Sequence, residues 1–116
     1  MSELDRILRQ RRSNSADARA IIAEIEELDS YCQQLYYAAI SDEQSQRERR
    51  ENGEDVPYED IWEKVFDAVF EGGISRKVIG LASKIGMSFD WYDPDTTYEE
   101  DATAFINELH SFARGL

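Results

Sequence analysis

The sequence predicts an all-α protein: a long N-terminal helix over about residues 16–50 with a heptad seam, followed by a compact bundle of three shorter helices. Three observations lead there. Residues 16–50 contain no glycine and no proline, and most of them are good helix formers. Within that stretch Ala18, Ile21, Ile25, Leu28, Cys32, Leu35 and Ala39 recur at alternating spacings of three and four, which is a coiled-coil-like seam. No segment sustains the apolar–polar alternation of a half-buried strand. The chain therefore reads as one domain, with a basic segment at 1–14, the long helix at 16–50 and the bundle at 57–113.

Taken in order, Leu4, Ile7 and Leu8 have helical spacing and predict a short helix over residues 4–12. Ser13, Asn14 and Ser15 read as a break and an N-cap, since their side chains accept from the free amides of a helix start. A seam this long needs a partner, so it is expected to mediate dimerisation or to hold the bundle. Asn52-Gly53 ends the long helix, and Pro57 suits the first turn of the next, where its missing amide hydrogen costs nothing. Ile61, Val65 and Val69 form a stripe flanked by Trp62 and Phe66, with Gly72-Gly73 as a stop. Ser75 is placed to cap a short helix carrying Val78, Ile79, Ala82 and Ile85, which closes at Gly86. Residues 87–96 read as an acidic, aromatic loop. Thr97 with Glu100 is a capping-box pattern for a last helix whose apolar face is Ala102, Phe105, Ile106, Leu109 and Phe112.

The chain has 116 residues and a formal net charge of −12, unevenly spread. Residues 1–20 hold five arginines against Glu3, Asp5 and Asp17 and sum to +2, so the other 96 carry −14. One acidic cluster is Asp42, Glu43, Glu48, Glu51, Glu54, Asp55, Glu59 and Asp60, interrupted by Arg47, Arg49 and Arg50. Asp90, Asp93, Asp95, Glu99, Glu100 and Asp101 form a second with no cation among them. This balance argues against direct binding to nucleic acid or to anionic membranes, both of which need positive charge. No apolar run is long enough for a membrane span, and Glu3, Asp5 and Arg6 break up any signal-peptide core, so the expected location is the cytoplasm.

Familiar catalytic constellations are weak. His110 is the single histidine and reads as a surface or boundary residue, and Cys32, in the seam, reads as a small apolar residue. A calcium loop counted from Asp93 would need glycine and glutamate where Tyr98 and Ala104 stand. The Gly72–Lys77 corner lacks phosphate-loop spacing. Leu81–Ser88 resembles the turn of a DNA-binding helix-turn-helix, but its recognition helix would hold Asp90, Asp93, Asp95 and the breaker Pro94. No enzyme activity, metal or cofactor is expected.

The remaining idea is that carboxylates stand in for phosphates. Residues 41–60, if helical, would present eight acids over ~30 Å, one per ~4 Å, whereas duplex DNA carries one charge per ~1.7 Å. One helix is too thin a mimic, so the two acidic clusters, or two subunits, must be brought together. The order of motifs has a parallel: Gln33-Gln34-Leu35, a charged stretch, Pro57, Ile61-Trp62-Glu63, Gly73-Ile74-Ser75-Arg76-Lys77 with Ile79 and Ala82, an Asp-rich loop, and a helix from Tyr98-Glu99-Glu100. Over roughly residues 30–113 this is similar to the lambda Gam family, inhibitors of the RecBCD helicase-nuclease. The acidic, helical make-up also looks like the Ocr-type antirestriction mimics. The resemblance implies a helical homodimer that imitates DNA and blocks a host DNA-processing enzyme. On this expectation Asp42, Glu43, Glu48, Glu51, Glu54, Asp55, Glu59, Asp60, Asp90, Asp93 and Asp95 replace phosphates, and Trp91 and Tyr92 are aromatic anchors. Two alternatives stay open: an anti-CRISPR, antirestriction or nuclease-immunity protein that binds without copying DNA, and an assembly protein that uses the seam.

Overall fold

The structure, a computed structural model, describes residues 3–56, 60–91 and 95–116, with side chains from Asp17 onward. It is all-α, with no strand among the described residues. Helix α1 (Glu3–Glu51) is a single element of 49 residues, ~73 Å long at ~1.5 Å per residue. It sets the long dimension of a molecule measuring 77 × 23 × 21 Å. The break expected at Ser13-Asn14-Ser15 does not occur, so there is neither a separate helix over 4–12 nor a cap there. Serine and asparagine cost only about 0.5 kcal/mol each inside a helix, less than stopping one helix and nucleating another. The helix ends as expected: Gly53 takes φ +85°, and the Glu54 amide donates to the Arg49 carbonyl at 3.0 Å, a left-handed cap.

Helix α2 (Ile61–Phe66) starts behind Asp60, whose carboxylate accepts from the Glu63 amide at 3.1 Å. Pro57, expected in the first turn of this helix, lies outside the described residues. From Asp67 to Glu71 the helix continues as a wider π-helical turn. It stops at Gly72, where any Cβ would lie 2.4 Å from the Ala68 carbonyl oxygen. Helix α3 (Ile74–Lys84) follows, with Gly73 at φ +87° in the N-cap position. Ser75 is therefore not the cap; it sits inside the helix and is buried. Helix α4 (Tyr98–Arg114) begins at Thr97, whose hydroxyl accepts from the Glu100 amide at 3.1 Å. The Glu100 carboxylate accepts from the Thr96 hydroxyl.

The three short helices lie along α1, and its seam is the line of contact. Ile25 and Cys32 are fully covered and Ala39 nearly so, while Ile21, Leu28 and Leu35 pack half-buried against the same core. Val65, Val69, Val78, Ala82, Ala102, Phe105, Ile106 and Leu109 supply the other side. Of the two roles expected for the seam of Ala18, Ile21, Ile25, Leu28, Cys32, Leu35 and Ala39, holding the bundle is the one these contacts display. Ile79, expected to face inward, is exposed, and Leu81 takes the inner place on α3. Truncating Leu109 to alanine should cost about 3 kcal/mol and truncating Ile79 less than ~0.5 kcal/mol, both read from urea unfolding midpoints.

Candidate functional site, an acidic aromatic groove

The seam changes character at its C-terminal end. After Ala39 the next half-buried positions of α1 are Glu43 and Gln46. Glu43 meets Trp62 at the start of α2: the indole Nε1 donates to its carboxylate at 2.8 Å. Trp62 is almost fully buried, and its ring lies 5.8 Å from that of Tyr36. A buried indole N–H needs an acceptor, and a carboxylate at this register of α1 supplies it. Arg47, one turn on, is 3.7 Å from the other Glu43 oxygen.

The turn at Asn52-Gly53 folds the chain back, so that Asp60 returns to the level of Glu43. The segment entering α4 arrives at the same place. Together they form an open groove of about 700 Å³, lined by Glu43 of α1, Asp60, Trp62 and Phe66 at α2, and the stretch from Asp95 to Glu99 with Asp101. Five of these side chains are carboxylates, Glu43, Asp60, Asp95, Glu99 and Asp101, and no cation among the described residues lines the groove itself, Arg47 pairing with Glu43 from the adjoining cleft. Its aromatic floor is a run of tilted rings, Phe66 being 5.0 Å from Tyr98 and 4.6 Å from Phe70. Tyr98 is 42% exposed at the rim, which leaves a ring free to meet a visitor. Local physics accounts for part of this acid. Glu99, Glu100 and Asp101 occupy the first turn of α4, where negative charge complements the helix dipole. Asp101 is buried and accepts from the Thr96 amide at 3.2 Å. Asp95 introduces the cap with φ +49°, a left-handed conformation that aspartate tolerates better than most residues.

Of the residues singled out from sequence, Glu43, Asp60 and Asp95 are brought together here. Glu51 joins Asp60 and Trp62 in an adjoining cleft of about 400 Å³, which Arg47 and Arg50 also line. Asp42, Glu48, Glu54, Asp55 and Asp90 are exposed and line neither cleft. Glu54 is held by Arg49 at 2.6 Å. Glu59, Tyr92 and Asp93 lie outside the described residues. Trp91 is not an exposed anchor: it stacks on Phe70 at 5.2 Å and meets Phe105 edge-on at 5.4 Å. Covering part of so large an apolar ring outweighs presenting it whole, and Trp91 lies half-buried against the core. The sequence reading missed Trp62, Phe66 and Tyr98 as groove residues, and it counted Glu99 and Asp101 only as charge.

A second constellation joins α1 to α4. His110 Nδ1 lies 3.1 Å from both oxygens of Asp29, and Asp29 also acts on Cys32 one turn along. Cysteine, histidine and aspartate in one neighbourhood invite a nucleophile reading. The thiol does not support it. Cys32 is fully covered, and burial, with a contribution from the Asp29 charge, pushes its pKa up from 9.0 to about 12. Thiolate is scarce at neutral pH in such a site. Among the described residues no three His, Cys, Asp or Glu side chains converge in a way that could hold a metal ion, and no helix is long and apolar enough to cross a membrane.

No family model, curated protein or solved structure matches this chain. Its function has to be read from the groove itself.

Cys32 generates a test with a definite sign. Because the folded pKa lies above the unfolded one, this thiol's contribution to stability is whole below pH 9.0. It declines as pH rises from 9.0 towards 12, where only the unfolded chain gives up the proton. The urea midpoint of the native protein should fall over that range by more than that of Cys32→Ala. At about pH 8, iodoacetamide should label the urea-unfolded chain and spare the folded one.

Proposed function

We propose that the protein is a non-enzymatic inhibitor that binds the DNA-contacting surface of a host DNA-processing enzyme, with the carboxylates of the groove and of the nearby face of α1 standing in for phosphates. The observation that carries this reading is the meeting of the two acidic clusters. Glu43 and Asp60 from one and Asp95, Glu99 and Asp101 from the other line a single groove. A lone acidic helix is too dilute a charge array to compete with a duplex, and this convergence is what the density argument required. A basic channel built to hold phosphates would meet both the charge and, at Tyr98, an aromatic surface suited to arginine. The likeness in motif order to RecBCD inhibitors makes a helicase-nuclease of that type the first target to try.

The reading that the protein binds its target without imitating DNA draws on a different feature of the same groove. Half of its lining is aromatic or uncharged, Trp62, Phe66, Tyr98 and two threonines, and such surface fits a protein side chain rather than a copied phosphate ladder. Competition decides between the two. Purified RecBCD holding the inhibitor should release it when duplex DNA ends are added; a stable ternary complex would refute mimicry in favour of binding elsewhere.

Charge should also set the strength of binding. The combined variant Asp95→Asn, Glu99→Gln should bind the target about tenfold more weakly, or about 1.4 kcal/mol, mostly through slower association at low salt. Unchanged affinity would remove the groove from the contact.

A further inference from the structure

The molecule carries its own candidate for the groove. Arg6, Arg9, Arg11 and Arg12 make its first sixteen residues positive, while the rest of the chain is strongly negative. Both halves of a charge-complementary pair are therefore present: an arginine-rich segment, and a groove lined by five carboxylates with an exposed tyrosine ring at its rim. Arginine suits such a groove better than lysine, since its planar head pairs with carboxylates and stacks on aromatic faces at the same time.

The pair cannot form within one chain. Along the continuous helix α1, Arg12 and Glu43 are 31 residues apart, or ~46 Å at ~1.5 Å per residue.

We infer that the groove is a self-recognition site that takes the arginine-rich N-terminal segment of a second copy of this chain. Two copies running antiparallel exchange these segments reciprocally, which closes the assembly as a two-fold dimer and leaves no free end to extend a filament. The seam of α1, filled by the chain's own helices, takes no part. The inference uses the same groove as the inhibitor reading without depending on it. It adds a consequence for that reading: the N-terminal segment of a second copy occupies the surface that a host enzyme would need, so self-association and target binding compete.

The test is a charge swap in the full-length chain, read by sedimentation equilibrium. The native protein should associate into dimers that weaken about tenfold or more as salt rises past the point where exposed charges are screened. The variant Arg6→Glu, Arg9→Glu, Arg12→Glu should be monomeric, as should Asp95→Arg, Glu99→Arg. An equimolar mixture of the two should associate again. The N-terminal variant leaves every described core side chain in place, so it remains decisive even if the groove variant folds poorly. A native protein that stays monomeric at high concentration, or dimers that persist in the N-terminal variant, would overturn the inference. No target enzyme enters this experiment, so its failure and that of the inhibitor reading are distinguishable.

Discussion

Everything in this fold depends on covering one apolar stripe of one helix. A helix as long as α1 cannot leave Ile25, Leu28, Cys32 and Leu35 in water, and at roughly 2 kcal/mol for each large side chain buried the stripe governs where the other three helices go. They are short, and each contributes a face of matching period: Val65 and Val69, then Val78 and Ala82, then Phe105, Ile106 and Leu109. The stripe is also finite. It turns polar at Glu43, and the place where it ends is the place where the groove begins. Scaffold and candidate site thus share one register along α1.

This continuity bears on what the acidic charge means. Carboxylates on an isolated helical face can be no more than a solvated surface. Here the turn at Asn52-Gly53 and the cap at Thr97 return two separate parts of the chain to the level of Glu43. Some of the negative charge has local work, at the dipole of α4 and in the hydrogen bonds of Trp62 and Thr96. The same groups still line an open concavity with no cation in its wall among the described residues. A surface can owe its charge to folding and offer it to a partner without contradiction.

Local periodicity made the helical elements legible from the residues: the seam, the stripe through Ile61, Val65 and Val69, the stop at the two glycines and the Thr97 cap follow from it. Features set by competition between neighbours were less so. Serine and asparagine at 13–15 are good caps, but inside a long run of helix formers their preference is outweighed. Ser75 had the right chemistry for a cap, yet the left-handed glycine before it had the right backbone. Trp91 looked like an anchor because its loop is acidic, whereas its ring finds Phe70 and Phe105. The groove was legible only as a condition, that the two acidic clusters meet, since meeting depends on how α1, α2 and α4 cross. Trp62 and Tyr98 carried no signal of their own; a tryptophan next to an apolar stripe is usually core, and Trp62 is both core and groove wall.

The π-helical turn from Asp67 to Glu71 shows a different kind of compromise. Residues four apart advance by about 40° per step around an α-helix, so a stripe built on Ile61, Val65 and Val69 would wind away from α1. A wider turn with i→i+5 bonding takes back part of that rotation, keeps Val69 inward and swings Phe70 towards Trp91. Deleting one residue from this turn would restore regular hydrogen bonding but rotate α3 and all that follows off the stripe. Hydrogen-bond regularity and tertiary registration are locally frustrated here, and registration has prevailed.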